Sequence, residues 1–201
     1  MDAWSLVLPV AAVLALGGVA GLVALYLAIR LAARPDRAPV RPIAADGLDH
    51  YFRRRAGFAV TVHATTALGV DEVFARLVGR PYLSSLPFLS GPHWRSDARG
   101  IGAERTMSGT VFSVAEVVVV DDPGRKIALT GTAVCVPWTI RDFAERFEVV
   151  DRGDGRVVEW TIAGTPRWVG WLPWRLLAPI ARPVFAFVLR RILRPKTFRA
   201  M

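Results

Sequence analysis

The sequence predicts an α+β domain in which an antiparallel sheet covers one face with a long C-terminal helix, preceded by one transmembrane helix. Three observations carry this. Residues Trp4 to Ile29 include no charged side chain, a run long enough to cross a hydrocarbon core of ~30 Å as a tilted helix. From His93 to Ala163 the chain is a succession of alternating apolar and polar segments separated by turn sequences, the pattern of antiparallel strands. From Trp168 through Leu193 the apolar residues recur at helical spacing.

The N-terminal run differs from a cleaved signal peptide in lacking a basic n-region and in exceeding the usual ~7–15 apolar residues. Arg30, Arg34, Arg37 and Arg41 follow it, whereas only Asp2 precedes it. The positive-inside rule then puts the folded part on the cytoplasmic side of a cell membrane, crossed once. Trp4, Arg30, Arg34 and Arg37 are the expected membrane-contacting residues. Gly17 and Gly21 form a small-xxx-small pair through which two copies could pack as a homodimer. Pro35, Pro39 and Pro42 among arginines make Ala33 to Asp46 a semi-rigid linker along the membrane surface, without regular structure. The chain thus divides into an anchor at 1–32, a Pro/Arg-rich linker at 33–56, a folded domain at 57–194 and a basic tail at 195–201.

The formal net charge of +9 is unevenly spread. Residues 30–55 carry seven Arg against three acids, and residues 167–201 carry seven Arg and one Lys against none. The middle, 56–166, has eleven basic and thirteen acidic residues. Basic flanks around a near-neutral domain suit an anionic leaflet, where each nearby Lys or Arg contributes ~1 kcal/mol, better than a nucleic-acid backbone. The single cysteine, Cys135, excludes an intramolecular disulfide and reads as a small buried hydrophobe.

Within the domain, Phe58, Val60, Val62 and Ala64 alternate with Ala59, Thr61, His63 and Thr65, a half-buried strand. After Gly69, Asp71 starts a short helix through Val78, with Val70, Val73, Phe74 and Leu77 on one face. Pro81 to Leu89 reads as a second short turn or helix, ended by Gly91-Pro92. Strands are predicted at His93–Ala98, Glu104–Phe112, Ser113–Val120, Lys126–Val134, Asp142–Val150 and Arg156–Ala163. Asp121-Asp122-Pro123-Gly124 and Arg152-Gly153-Asp154-Gly155 are tight-turn sequences that make their flanking strands antiparallel neighbours. In the final helix Leu176, Leu177, Ile180, Ala181, Val184, Phe187, Val188 and Ile192 fall on one arc, opposite Arg175, Arg182 and Arg190. Trp168, Trp171 and Trp174 lead into it. Pro173 fits its first turn, while Pro179 and Pro183 should kink it. Arg175 and Arg182 make a second membrane span costly, at ~2.5–3.5 kcal/mol each.

The segments FAVTVHATTALGVDEVFARL at 58–77, GIGAERTM at 100–107 and RFEVVDRGDGRVVEWTI at 146–162 resemble the START-like, polyketide cyclase or SRPBCC superfamily. The resemblance covers about Phe58 to Leu193. It implies the helix-grip fold, a curved antiparallel sheet wrapped around the C-terminal helix, with a cavity between them. Strand parity then selects the lining. Phe143 and Phe147 share a face, as do Val158, Trp160 and Ile162. Val60 and Val62 from the first strand and Val184, Phe187 and Val188 from the helix would complete an apolar pocket.

Glu145 lies between Phe143 and Phe147 on that face, where a desolvated carboxylate could act as acid or base; pairing with Arg141 or Arg105 is the structural alternative. Glu104 and Arg105 read as strand-entry structure. Glu116, in a valine-rich strand, is expected to make one of its faces locally wet. His50, His63 and His93 are not at metal-ligand spacing, and no nucleophile-elbow, P-loop or dinucleotide motif occurs. The expected function is membrane-anchored binding of a lipid, quinone or polyketide-like molecule, with no cofactor, no metal and no nucleic-acid partner. A cyclase or dehydratase-like enzyme using a cavity carboxylate, and a ligand-free scaffold, are the alternatives.

Overall fold

A computed structural model of the chain describes residues 4–32, 38–79, 82, 89–109, 113–135, 140–153, 155–167 and 173–194. Helix α1 (Trp4–Ala32) comes first. A two-residue strand β1 (Ala38–Pro39) and a helical stretch over 45–55, containing α2 (Leu48–His50), lead into β2 (Phe58–Thr66) and α3 (Val70–Val78). Six further strands follow: β3 (Leu89–Trp94), β4 (Glu104–Gly109), β5 (Ser113–Asp122), β6 (Lys126–Val134), β7 (Ile140–Arg152) and β8 (Gly155–Pro166). A 3-10 turn at Trp174–Leu177 then runs into α4 (Ala178–Ile192).

All described pairings are antiparallel, in the order β2-β8-β7-β6-β5-β4-β3, with β1 added beside the end of β6. Strand β2 therefore pairs with the last strand, β8, Val60 opposite Ile162 and Val62 opposite Trp160. Gly124 and Gly153 take positive φ in the β5–β6 and β7–β8 turns, a conformation that glycine adopts without steric cost. Edge strand β3 starts and ends earlier than expected. It accommodates Pro92 through a register shift between Ser90 and His93, as an edge can because no partner needs the missing donor.

The sheet's inner face packs against α3 and α4. Val60, Val62, Val73, Leu77, Val114, Leu129, Phe147, Val158, Trp160 and Leu189 belong to one buried cluster. The outer face holds the segment expected to be an irregular spacer. Ala38, Val40 and Ile43 are buried, and Ile43, Leu48, Tyr51, Phe52 and Ala56 cover Ala128, Ala144 and Ala163. Three small residues on adjacent strands let a helical stretch lie close to the sheet. Polar groups hold it there: Ile43 N–H donates to Thr130 Oγ1 at 2.9 Å, Tyr51 Oη to Asp142 Oδ1 at 2.7 Å, and Arg146 Nη1 to Asp49 Oδ1 at 2.7 Å. The sequence pattern missed this because its apolar residues are too few and too unevenly spaced to register as an element.

Helix α4 also differs from expectation. It grips the sheet with Ala181, Phe185, Val188, Leu189 and Ile192, while Leu176, Ile180, Val184 and Phe187 are exposed. The single apolar arc is thus divided, because the sheet contacts a face rotated toward Phe185 and Leu189. Arg182 Nε donates to Thr61 O at 3.4 Å, and Arg175 Nη2 to Arg54 O at 2.8 Å and Ala56 O at 3.1 Å. Those bonds set the helix's rotation against β2. Pro183 sits inside α4.

Every described side chain of α1, residues 13 and 15–28, is exposed. Among the described residues no helix is long and apolar enough to cross a membrane. The side chains of Trp4 and Arg30, all of Arg34 and Arg37, Trp168 and Trp171, most of Pro81–Leu89, Asp154 and the tail from 195 lie outside the described residues.

Tyr51→Phe should lower unfolding stability by about 1–3 kcal/mol, since it leaves a buried Asp142 oxygen without its donor. Denaturant midpoints of the full chain would measure this, and an unchanged midpoint would show that the Tyr51–Asp142 bond contributes nothing to the fold.

Candidate functional site

The inner face has two parts of different chemistry. Its deeper part is filled. Phe147 stacks on Trp160 with centroids 5.7 Å apart, Tyr82 meets both edge-on at 5.5 and 6.1 Å, and Phe185 of α4 closes on Trp160 at 5.3 Å. Beside these rings lies a buried ionic cluster. Arg105 on β4 stands directly opposite Glu116 on β5, and its Nε donates to Glu116 Oε2 at 2.7 Å. Arg105 Nη2 reaches Glu145 on β7. Glu145 Oε2 also accepts from Tyr82 Oη at 3.0 Å and from Trp160 Nε1 at 3.3 Å. Gly131 on β6, opposite Glu116, presents no side chain in the space between these strands.

Arg105 is 1% exposed and Glu145 2%. Glu145 is therefore the paired carboxylate of the structural alternative, with Arg105 as its partner rather than Arg141, which bonds Asp142. Glu116 is buried, so the expected wet face on β5 is absent. The guanidinium directly across the strand pair neutralises and hydrogen-bonds it. Among the described residues Arg105 Nη1 has no hydrogen-bond partner. Its guanidinium carbon lies 5.2 Å from the Tyr82 ring centroid and 5.8 Å from that of Trp94. Burial pushes the Tyr82 hydroxyl well above the ordinary tyrosine value of 10.0, against the opposing effect of Arg105. Burial and the bond to Asp142 push Tyr51 the same way.

The second part is an open apolar cleft of about 530 Å³ between the β2, β7 and β8 ends and the start of α4. Phe58, Ile140, Phe143, Ile162, Trp174, Ile180, Ala181 and Val184 line it, with Gly164, Thr165 and Pro166 at its sheet edge. The expected pocket residues are thus sorted by the structure. Phe143, Ile162 and Val184 line the cleft; Val60, Val62, Phe147, Val158, Trp160 and Val188 are in the packed core. Phe187 is turned away from the sheet and exposed. The expected lining omitted Phe58, Ile140, Trp174 and Ile180, although Phe58 shares the parity of Val60 and Val62 and Ile180 the arc of Val184. Ile140 stands at a strand end and Trp174 in the 3-10 turn before α4, where neither period gives weight.

His50, His63 and His93 are exposed, and among the described residues no group of His, Cys, Asp or Glu could hold a metal ion. His63 Nδ1 lies 3.6 Å from Glu159. Cys135 is buried, and its sulfur accepts from Ser113 N–H at 3.3 Å.

No family model and no curated protein sequence matches the chain. Solved structures do. A START superfamily protein from Mycobacterium smegmatis superposes with a TM-score of 0.52 at 13% identity, over 67% of this chain and 93% of that one. The di-domain aromatase/cyclase StfQ of the steffimycin pathway gives 0.52 at 16%, over 74% of this chain and 53% of that two-domain protein. Truncated norcoclaurine synthase from Thalictrum flavum gives 0.51 at 11%, over 71% and 94%. At such identities the likeness shows the fold alone, an antiparallel sheet packed on a C-terminal helix, and leaves function to the site itself.

Arg105→Ala should destabilise the chain by about 3–5 kcal/mol, because Glu116 and Glu145 would be left as uncompensated buried charges. Replacing all three by Leu or Met should restore most of that loss, as read from denaturant midpoints. If the single and triple variants are equally unstable, the ionic pairing is not the cause. The two buried tyrosines give a pH limb. A raised folded-state pKa means that the stabilisation is complete below the unfolded value of 10.0 and is lost as pH rises above it. Thermal midpoints should hold until about pH 10 and then fall, with a shallower fall in the Tyr51→Phe/Tyr82→Phe double variant.

Proposed function

We propose that this chain binds an apolar small molecule, such as a lipid, quinone or polyketide-like compound, in the cleft between β2, β8 and α4, and holds it at a membrane. The observation that carries this reading is the cleft: about 530 Å³, walled by Phe, Ile, Trp, Ala and Val side chains, in a domain whose deeper interior is already filled. That volume lies within the ~300–1,000 Å³ range of small-molecule sites. Apolar area removed from water contributes ~25 cal/mol per Å², so such walls favour a hydrophobic ligand. No described residue lining the cleft is titratable. Glu145, the carboxylate a cyclase-like reaction would use, is engaged by Arg105, Tyr82 and Trp160, which favours binding over catalysis.

Membrane attachment through α1 is part of the proposal. The described side chains alone are too short a stretch to span, yet the helical backbone covers 29 residues, about 43 Å at 1.5 Å per residue. No charge occurs from Trp4 to Ile29. Val13, Leu16, Val19, Leu22 and Leu25 are exposed, an arrangement that water disfavours and a bilayer relieves. The basic residues after the helix favour a cytoplasmic domain, and a tethered domain meets membrane-dissolved ligands at high effective concentration.

Thermal midpoints of the full chain in detergent should rise with long-chain fatty acids or isoprenoid quinones and stay constant with polar analogues. Ala181→Phe, which fills the cleft from α4, should abolish the shift. A full-length chain insensitive to the whole apolar panel would overturn the reading.

A further inference from the structure

We propose that the outward face of α4 docks on an anionic lipid bilayer and sets the mouth of the cleft against the acyl region. This rests on the membrane-bound reading above and assigns a second, specific contact. Leu176, Ile180, Val184 and Phe187 are 71%, 70%, 62% and 56% exposed. Ile180, Val184 and Phe187 lie on one stripe of α4 beside the face that grips the sheet, with Leu176 exposed in the 3-10 turn before it. An exposed apolar stripe on a helix already held by its other face is a surface made to meet something apolar.

Charge identifies that partner. Residues 167–201 carry eight basic side chains and no acid. Arg190 and Arg191 are exposed in the last turn of α4, beside Phe187. Arg175 and Arg182, by contrast, are directed to backbone carbonyls of the domain, so they hold the helix in this rotation instead of covering the stripe. Apolar side chains rimmed by arginine fit an anionic headgroup layer with acyl chains beneath it.

Position in the fold agrees. Strand pairing puts Val134 of β6, Ile140 of β7, Pro166 of β8 and Phe58 of β2 at one end of the sheet. Ala38 pairs with Val134 at that end, and six residues of chain after Ala32 span at most ~20 Å. The end of α1 is therefore tethered close to the cleft. Ile180 and Val184 belong both to the stripe and to the cleft wall. With the stripe in the headgroup region, an apolar ligand passes between bilayer and cleft without crossing water.

The test uses the full chain, in a Cys135→Ala background, reconstituted into vesicles of phosphatidylcholine and phosphatidylserine whose acyl chains carry nitroxide quenchers. Environment-sensitive fluorophores are placed singly by Leu176→Cys, Ile180→Cys, Val184→Cys and Phe187→Cys, and by Val150→Cys at the far end of the sheet. The four stripe positions should be blue-shifted and quenched, and Val150→Cys should be neither. Adding Leu176→Glu and Phe187→Glu should remove the quenching at Ile180→Cys. The same two substitutions, which lie outside the described cleft wall, should in the unlabelled chain leave the ligand-induced thermal shift in detergent intact. Four positions no more quenched than Val150→Cys would overturn the proposal. So would quenching that disappears when protein is diluted in lipid, the mark of a second copy covering the stripe. Equal quenching in phosphatidylcholine alone would overturn the assignment to an anionic surface. Failure of ligand binding itself would instead show as no thermal shift with quenching preserved.

Discussion

The buried guanidinium of Arg105 is the constraint on which the rest of the domain depends. It joins β4 to β5 through Glu116 and reaches β7 through Glu145, so one side chain links strands separated by the whole of β6. The tie lies on the inner face of the sheet, beside the rings that fill it. Tyr82 and Trp160 complete the donor set of Glu145, and their rings, with Phe147 and Phe185, fill the deep end. Ionic clusters of this kind add little net stability relative to apolar packing. Their removal one partner at a time is what costs, and here each partner lies on a different strand.

Filling the deep end leaves the open cleft as the unfilled part of the inner face. The cleft lies where β2, β7 and β8 end and α4 begins, and its residues come from all four. The outer-face segment supports it from behind: Tyr51 bonds Asp142, next to Phe143 of the cleft wall, and Thr130 links Ile43 to the Phe143 carbonyl. The stretch from Ile43 to Tyr51 thus bears directly on the strand that carries Phe143.

Much of this was legible from residues alone. Alternation in 58–65 and 142–150, and glycine in the two tight turns, placed β2, β7 and their partners, since side-chain parity is a local property of a pleated strand. The uncharged run at the N-terminus gave a helix for the same kind of reason. The site was legible only in part. Phe143, Ile162 and Val184 line the cleft, but the same parity rule could not distinguish them from Val60, Val62 and Trp160, which fill the core. Parity names the face and says nothing about depth along it.

By itself the sequence determined the element types, the α+β class, the antiparallel connections and the charge distribution, because each arises from neighbours within a few residues. Tertiary structure alone decided three matters. It brought Arg105 to Glu145 across three strand spacings, converting a candidate acid into an ion-pair partner. It laid Ile43, Tyr51 and Phe52 on three alanines that no local period connects. It also chose the rotation of α4, which sent Phe185 and Leu189 inward and left Leu176, Ile180, Val184 and Phe187 outside. A broad apolar arc carries no local preference among its own positions; the sheet it meets makes that choice.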